Sequence, residues 1–406
     1  MIQPARQPDF LSLAQILISG IGILFFLSAG GSMLLLGFVL ALTNGFSSAI
    51  LPFFNAALAA TLLSVLLMPP IYYAVRSLSG YHSEISLPCG KPRRNLLVSL
   101  FVLWGLSLLL GEILIRQGGW MLLGIPPLLI LVVGLPLFVI VRIGQSETPA
   151  ANLHRDWGTI SFGLVITPAV VVLIEIAVII TILVLATVLL ASQPEIMEKL
   201  NISAQRLINS EMNPEVVQRV IRPYLQQPGV LFAILAIGAG LVPVIEELLK
   251  PLALWPLIHR IKSPQEGFRV GILCGAAFAL FESMGIMTTT AMGNWAMLAI
   301  ARAGTGLLHI VTTGLVGWGL ASAWQREQYL RLGSAFLLAV VLHSVWNIFG
   351  LLIGLVPFLE TDSVALRLGE IAPLALVILI STLFLLLTGC NRRLSVGSCH
   401  QIPLKG

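Results

Sequence analysis

Charge is what this chain has least of. Only 10% of its 406 residues are Asp, Glu, Lys or Arg, against roughly 25% in an ordinary soluble domain. A water-soluble globular fold is excluded on that ground. Disorder is excluded with it, because a disordered chain needs low hydrophobicity and a high density of charge. Cysteine is scarce as well. The four, Cys89, Cys274, Cys390 and Cys399, never stand two residues apart, which removes zinc-knuckle and dithiol redox chemistry. No basic stripe with interleaved aromatics runs through the sequence, so no nucleic-acid partner is expected. The last four residues, 403–406, hold no cysteine, so no prenyl anchor is expected either.

What the chain has in abundance is apolar length. Hydrophobic residues make up 57% of it and its mean hydropathy is +0.97. Runs of about 20 apolar residues, the length that crosses a bilayer, fall near 15–42, 50–75, 96–115, 120–141, 159–191, 229–250, 268–291, 296–323, 332–357 and 371–389. The expected fold is therefore all-α: a polytopic helical bundle of about ten spans. The first run continues from about Leu11 to Leu42, far beyond the ~7–15 residues of a signal-peptide core, and reads as a retained span.

Ten spans put both termini on one side. Placing them inside leaves Arg6, Arg76, Lys91, Arg93, Arg94, Arg142, Arg155, Lys250, Arg260, Lys262, Arg269, Arg326, Arg331, Arg392, Arg393 and Lys405 in cytoplasmic segments, as the positive-inside rule favours. Both ends are accordingly expected in the cytoplasm, and Cys89, Cys390 and Cys399 are expected as free thiols. Trp120, Trp157, Trp295 and Trp324 fall at span ends, where an aromatic belt belongs. The 193–228 connection reads as two short amphipathic helices, the second opened by Asn213 as cap and Pro214 at its first position. Its expected place is the outer membrane surface.

A charged side chain at the centre of a span costs about 3 kcal/mol on insertion scales, so the place where that cost recurs is informative. The first five spans hold few such residues, chiefly Glu112 and Glu175. Spans six to nine hold Glu246, Glu247, Lys250, Glu282, Arg302, His309 and His343. These groups must find one another. Glu246 and Lys250 lie four apart on one helical face, as do Phe278 and Glu282, and His343 and Asn347. Gly271 and Gly275 form a G-x-x-x-G pair, and Gly304, Gly306, Gly314, Gly317 and Gly319 surround His309, so adjacent helices can approach closely. Pro243, Pro251 and Pro256 are each able to kink the sixth span.

Histidines and glutamates buried in a bilayer can activate water in two ways. His309, His343 and a Glu, with Glu282 as the candidate, can hold zinc with an open position while a second Glu serves as base. Alternatively, a buried Glu deprotonates water directly while His or Asn stabilises the oxyanion. The residues leave both open. Arg302 cannot transfer a proton, so it and Lys250 read as charge partners.

Four stretches resemble a known family. Glu246-Glu247-Leu248-Leu249-Lys250 is similar to the E-E-x-x-K motif of the PrsW family of intramembrane proteases, and Phe278-Ala279-Leu280-Phe281-Glu282 to its F-x-x-x-E. His309 and His343 resemble the histidines of its third and fourth motifs, in the right order on successive spans. The fourth motif reads His343-Ser344-Val345-Trp346-Asn347 here, with Asn347 where some relatives carry an acid. An amide can orient or donate but is a poor base, which leaves base duty to Glu246 or Glu247. The PrsW family is in turn similar to CAAX prenyl endopeptidases and bacteriocin-processing proteins.

The resemblance implies an endopeptidase of the bacterial plasma membrane, acting on a membrane-anchored protein such as an anti-sigma factor. Glu246, Glu247, Glu282, His309, His343 and Asn347 would be its catalytic set. It divides the chain into a five-span region of unassigned role (1–192), the connection (193–228), a catalytic core (229–357) and a last span with its tail (358–406). Two other functions stand beside this one. A proton-coupled transporter also buries acids and histidines, but repeated halves with matching broken helices are not seen. An inactive scaffold of the same fold would have less reason to retain every catalytic residue type.

Overall fold

The computed structural model describes residues 10–80, 93–116, 121–148, 152–288, 295–360 and 363–394. Cys89, Cys399, Arg6, Lys91, Lys405 and Trp120 lie outside the described residues. All regular structure among the described residues is helical: α1 (Phe10–Asn44), α2 (Leu51–Leu66), α3 (Met68–Leu78), α4 (Arg94–Ile115), α5 (Met121–Gly144), α6 (Leu153–Ala191), α7 (Pro194–Asn209), α8 (Pro214–Leu225), α9 (Pro228–Leu235), α10 (Val242–Leu249), α11 (Pro264–Thr288), α12 (Trp295–Arg326), α13 (Tyr329–Leu355) and α14 (Val364–Leu394). They supply ten helices or helical runs long and apolar enough to cross a membrane, as the ten apolar runs of the sequence anticipate.

Local sequence fixes where these helices start. Asn152 Oδ1 accepts from the Arg155 N–H at 3.1 Å to open α6, and Asn213 Oδ1 accepts from the Glu215 N–H at 3.0 Å to open α8. At α11, Ser263 Oγ takes the Glu266 N–H at 3.2 Å, while the Glu266 carboxylate reaches back to the Lys262 N–H at 2.5 Å. Those bonds satisfy donors that a helix start otherwise leaves open.

The sixth span, Pro228–Arg260, is the least regular. It opens as α9, widens into a π-turn over Ala236–Leu241, tightens to α10, and runs on as 3₁₀ helix from Lys250 to Arg260. Its prolines explain the changes. Pro243 brings no N–H for the Ala239 carbonyl, inside the π-turn, and Pro251 brings none for Glu247, so the α-ladder stops in the turn that carries Glu246 and Glu247. Pro256 falls within the 3₁₀ stretch.

The chain divides into two compact units. The first comprises residues 1–169, 249–339 and 382–406, and the second residues 170–248 and 340–381. In the first, α11 and α12 form the central pair. Of the most apolar 18-residue window of α12, 94% is buried, so this helix is surrounded by protein rather than lipid. The pairing is antiparallel and made by glycine. A Cβ on Gly267 would run into the Gly317 carbonyl, one on Gly271 into the Thr313 carbonyl, and one on Gly275 into the His309 carbonyl. Backbones in such contact are the geometry that small residues four apart permit. Gly267 extends the Gly271/Gly275 repeat by a further turn.

The N-terminal spans of this unit bury the outer surface of that pair. Helices α2 and α5 pack on α11, and α4 and α5 on α12. Polar bonds within the N-terminal layer join Ser19 Oγ to Ser161 Oγ at 2.7 Å and Gln15 Nε2 to the Pro70 carbonyl at 2.8 Å. In the second unit, α7 and α8 form a hairpin without buried residues, tied by Ser203 Oγ and Tyr224 Oη at 2.9 Å. There the π-turn packs on α13, with Gly238 against the Leu351 side chain, and α14 packs on α13, with Gly369 against the Leu352 backbone.

Candidate active site

The seven ionisable residues and the amide singled out in sequence fall into two groups, one within each unit. In the first unit the α11–α12 pairing sets Glu282 beside Arg302 and His309. Arg302 Nη2 donates to Glu282 Oε2 at 2.7 Å, and its Nε donates to Ser283 Oγ at 3.1 Å. The same Glu282 oxygen lies 2.8 Å from His309 Nε2. On the other edge of the ring, His309 Nδ1 is 2.7 Å from Lys250 Nζ. The result is a row, Lys250–His309–Glu282–Arg302, in which two cations flank an imidazole and a carboxylate.

Burial makes this row consequential. Lys250 is completely buried, and His309 is 1% exposed. Charges so placed persist only when paired or hydrogen-bonded. The Phe278 ring completes the enclosure. Lys250 Nζ stands 5.2 Å from its centroid, and the His309 ring meets it edge-on at 5.3 Å. Phe278, the aromatic of the F-x-x-x-E stretch, therefore provides a π-face for the buried ammonium. Cys274 Sγ lies 2.9 Å from the Lys250 carbonyl.

The second group belongs to the other unit. His343 Nδ1 lies 2.8 Å from Glu247 Oε1, and its Nε2 lies 3.9 Å from Glu246 Oε2. The two adjacent glutamates thus address opposite edges of one imidazole. Glu247 and His343 are 0% and 2% exposed. One turn further along α13, Asn347 Nδ2 donates to the Gly238 carbonyl at 2.9 Å, inside the π-turn. π-turns frequently mark functional positions, and here the amide ties the widened turn to the helix that carries His343.

Sequence reasoning identified every ionisable member of these groups. It did not identify Ser283, the aromatic partnership of Phe278, or the Gly238 carbonyl. Ser283 follows Glu282 directly but carries no signal of its own. The Gly238 carbonyl is backbone, for which Gly-Ala-Gly ahead of Pro243 is the only hint. A further buried network lies outside both groups: Arg269 pairs with Asp156, and Arg155 Nη1 with Glu266 Oε1 at 2.5 Å.

Carboxylate–imidazole pairs of this kind, carried on apolar helices, suit water activation and proton relay alike. The comparison with known families favours the first. The model described as PrsW family intramembrane metalloprotease matches residues 167–382, slightly more than half of the chain. The chain belongs to that family, and is a multi-pass membrane protease. The match takes in most of the fifth span, the 193–228 connection and most of the tenth span, as well as the four spans that bear the motifs. No curated protein and no solved structure matches the chain.

Proposed function

We propose that the protein is an endopeptidase that cuts membrane-anchored proteins within or beside their spanning segments, by water activated at Glu246, Glu247 and His343. The observation that carries this reading is one buried imidazole with a carboxylate on each edge, at 2.8 and 3.9 Å. Glu247 accepts from Nδ1 and thereby fixes the ring and its tautomer, so Nε2 presents its lone pair on the Glu246 side. That is the relation by which an outer carboxylate orients a working histidine.

His343 and Glu246 offer two donors of the kinds that a metal such as zinc takes, imidazole nitrogen and carboxylate oxygen, of the three that a catalytic zinc site uses. His343 and Glu246 would hold the ion, with Glu247 behind the ring. When bound, such an ion supplies a water that ionises near neutral pH. The chain's own part is the same with or without it. Glu246 and Glu247 are the carboxylates able to receive the water's proton, His343 is held by them, and Asn347 secures the backbone of the π-turn. His309, with Lys250 and Glu282 at its two nitrogens, is held in a fixed row in which Arg302 pairs with Glu282. The substrate class follows from where the groups lie, on spanning helices, and the bacterial plasma membrane is the corresponding location.

The test is reconstitution of the full-length protein in liposomes with a library of single-span reporter proteins, read by mass spectrometry of new termini. Wild type should release products cut in or beside the spans, and Glu246→Gln and His343→Ala should release none. An intact library with wild type across lipid compositions and added zinc, or undiminished cutting by both variants, would contradict the assignment.

A further inference from the structure

The first unit carries a second polar site with no part in the chemistry above. A cleft of about 660 Å³ opens among the first turns of α1 and α6, the 3₁₀ stretch that ends the sixth span, and the start of α11. That volume lies within the ~300–1,000 Å³ of typical ligand sites. Its polar residues occupy the terminal turns of the spans. Arg155, Arg260 and Lys262 line it together with His154 and His259.

Glu266 faces these cations with both of its oxygens engaged, and Asp156, paired with Arg269, also lies 4.0 Å from Arg155 Nε. Glu266 Oε1 takes Arg155 Nη1 at 2.5 Å and its Oε2 takes the Lys262 N–H at 2.5 Å. The rim is left formally positive. Going inward along α1 and α6 the lining becomes mostly apolar, through Leu11, Ala14 and Ile18 on one side and Phe162 and Leu257 on the other, with Gln15 among them donating to the Pro70 carbonyl. At ~1.5 Å per residue, Ile18 stands ~12 Å deeper than Phe10 along α1.

This gradient follows the depth profile of a phospholipid: a charged head at the interface and hydrocarbon below it. The rim also bears the mark of an interface. Trp324, near the end of α12 and 54% exposed, meets the His259 ring edge-on at 4.8 Å, and half-wet tryptophans settle at the headgroup level. Basic pockets between spans on the cytoplasmic side are suited to anionic headgroups, and the basic segments 142–155 and 250–269 are those expected on that side from the charge distribution.

We propose that this cleft is a binding site for an anionic glycerophospholipid, with the headgroup phosphate on Arg155, Arg260 and Lys262 and one acyl chain along Leu11, Ala14, Ile18 and Phe162. The charge complementarity selects the anionic head, and the apolar inner wall selects a lipid over a free anion. A lipid seated there would bridge α1, α6, the end of the sixth span and α11.

Native mass spectrometry of the full-length protein in detergent micelles tests this, titrating phosphatidylglycerol, phosphatidylcholine or inorganic phosphate. The expected result is one phosphatidylglycerol retained at least tenfold more strongly than phosphatidylcholine. The double substitution Arg260→Gln/Lys262→Gln should weaken retention tenfold or more, and Arg260→Lys/Lys262→Arg should preserve it. Ala14→Phe, which fills the inner wall while leaving the rim charges, should also weaken it. Equal retention of the two lipids, or retention unaffected by both the charge-removing pair and Ala14→Phe, would overturn the proposal. Full displacement by inorganic phosphate would make the site one for a free anion. Retention seen only after deletion of residues 2–9 would make the chain's own N-terminal segment the occupant, and would also defeat the proposal.

Discussion

At the scale of single residues, the account rests on which carboxylate holds which imidazole. Glu247 lies on His343 Nδ1 and Glu282 on His309 Nε2, each at 2.8 Å. Glu247→Gln keeps the shape but offers an amide where a carboxylate supported the ring. Turnover should fall by ~10²–10⁴, the usual contribution of a general base or its support, with the protein still eluting as a folded species. Arg302 plays a different part. Arg302→Ala leaves the half-buried Glu282 without its cation, and the loss should fall between the ~1 kcal/mol of an exposed pair and the ~3 kcal/mol of a fully buried one. Unfolding in mixed micelles should show that loss. Arg302→Ala/Glu282→Ala should be less destabilised than the sum of its single variants, and strict additivity would show that the pair does not interact. The residue types at these positions were legible in sequence. The pairing was not, because it depends on how each helix is rotated about its axis, and i, i+4 spacing alone leaves Lys250 equally free to serve Glu246. In the structure its Nζ lies on the His309 ring and over Phe278.

At the scale of elements, the α11–α12 pair positions the Glu282 row, and glycine makes it possible. Gly275→Val would drive a side chain into the His309 backbone, and overpacking of this kind costs about 1–3 kcal/mol. It should also disturb His309 directly, so activity should fall further than stability alone explains. Gly285→Ala on the same helix meets nothing within 4 Å and should change stability by less than about 0.5 kcal/mol. Equal effects of the two substitutions in a thermal unfolding series would refute the role given to close packing. The Gly271/Gly275 spacing was by itself enough to announce this contact. The sixth span was only partly legible. Its three prolines foretold interruptions, yet whether each would kink, widen or tighten the helix depended on what packs beside it, such as Leu351 against Gly238 and Asn347 on the Gly238 carbonyl. The 50–75 run reads as one span and is one, Leu51–Leu78, within which α2 and α3 meet at Leu67 just ahead of Pro69 and Pro70.

At the scale of the whole molecule, the five N-terminal spans acquire a structural role that their composition did not disclose. Phe26, Leu63, Leu67 and Leu164 form one buried cluster with Ala277 of α11, and Leu137 of α5 covers Gly306 of α12. The Asp156–Arg269 and Arg155–Glu266 pairs join α6 to α11. A fragment limited to the family-matched residues 167–382 lacks these partners. It should therefore fail to yield a monodisperse, active species under conditions where the full chain does. A stable, active fragment would show that the N-terminal layer is dispensable. Ten apolar runs were readable from sequence because length and composition encode them, and the membrane protease was readable only through the resemblance of four ordered motifs to a known family. The covering of α11 was not, since apolar helices facing protein and apolar helices facing lipid have the same composition.

The central claim, that Glu247 and His343 belong to a peptide-bond hydrolysing site, is tested most directly by quantitative N-terminal peptide profiling. Membranes from cells carrying wild type, Glu247→Ala or His343→Ala at matched abundance would be compared under several envelope stresses. The account predicts new N-termini in or beside spanning segments with wild type, absent with both variants. Indistinguishable profiles, with all three proteins present and folded, would contradict it.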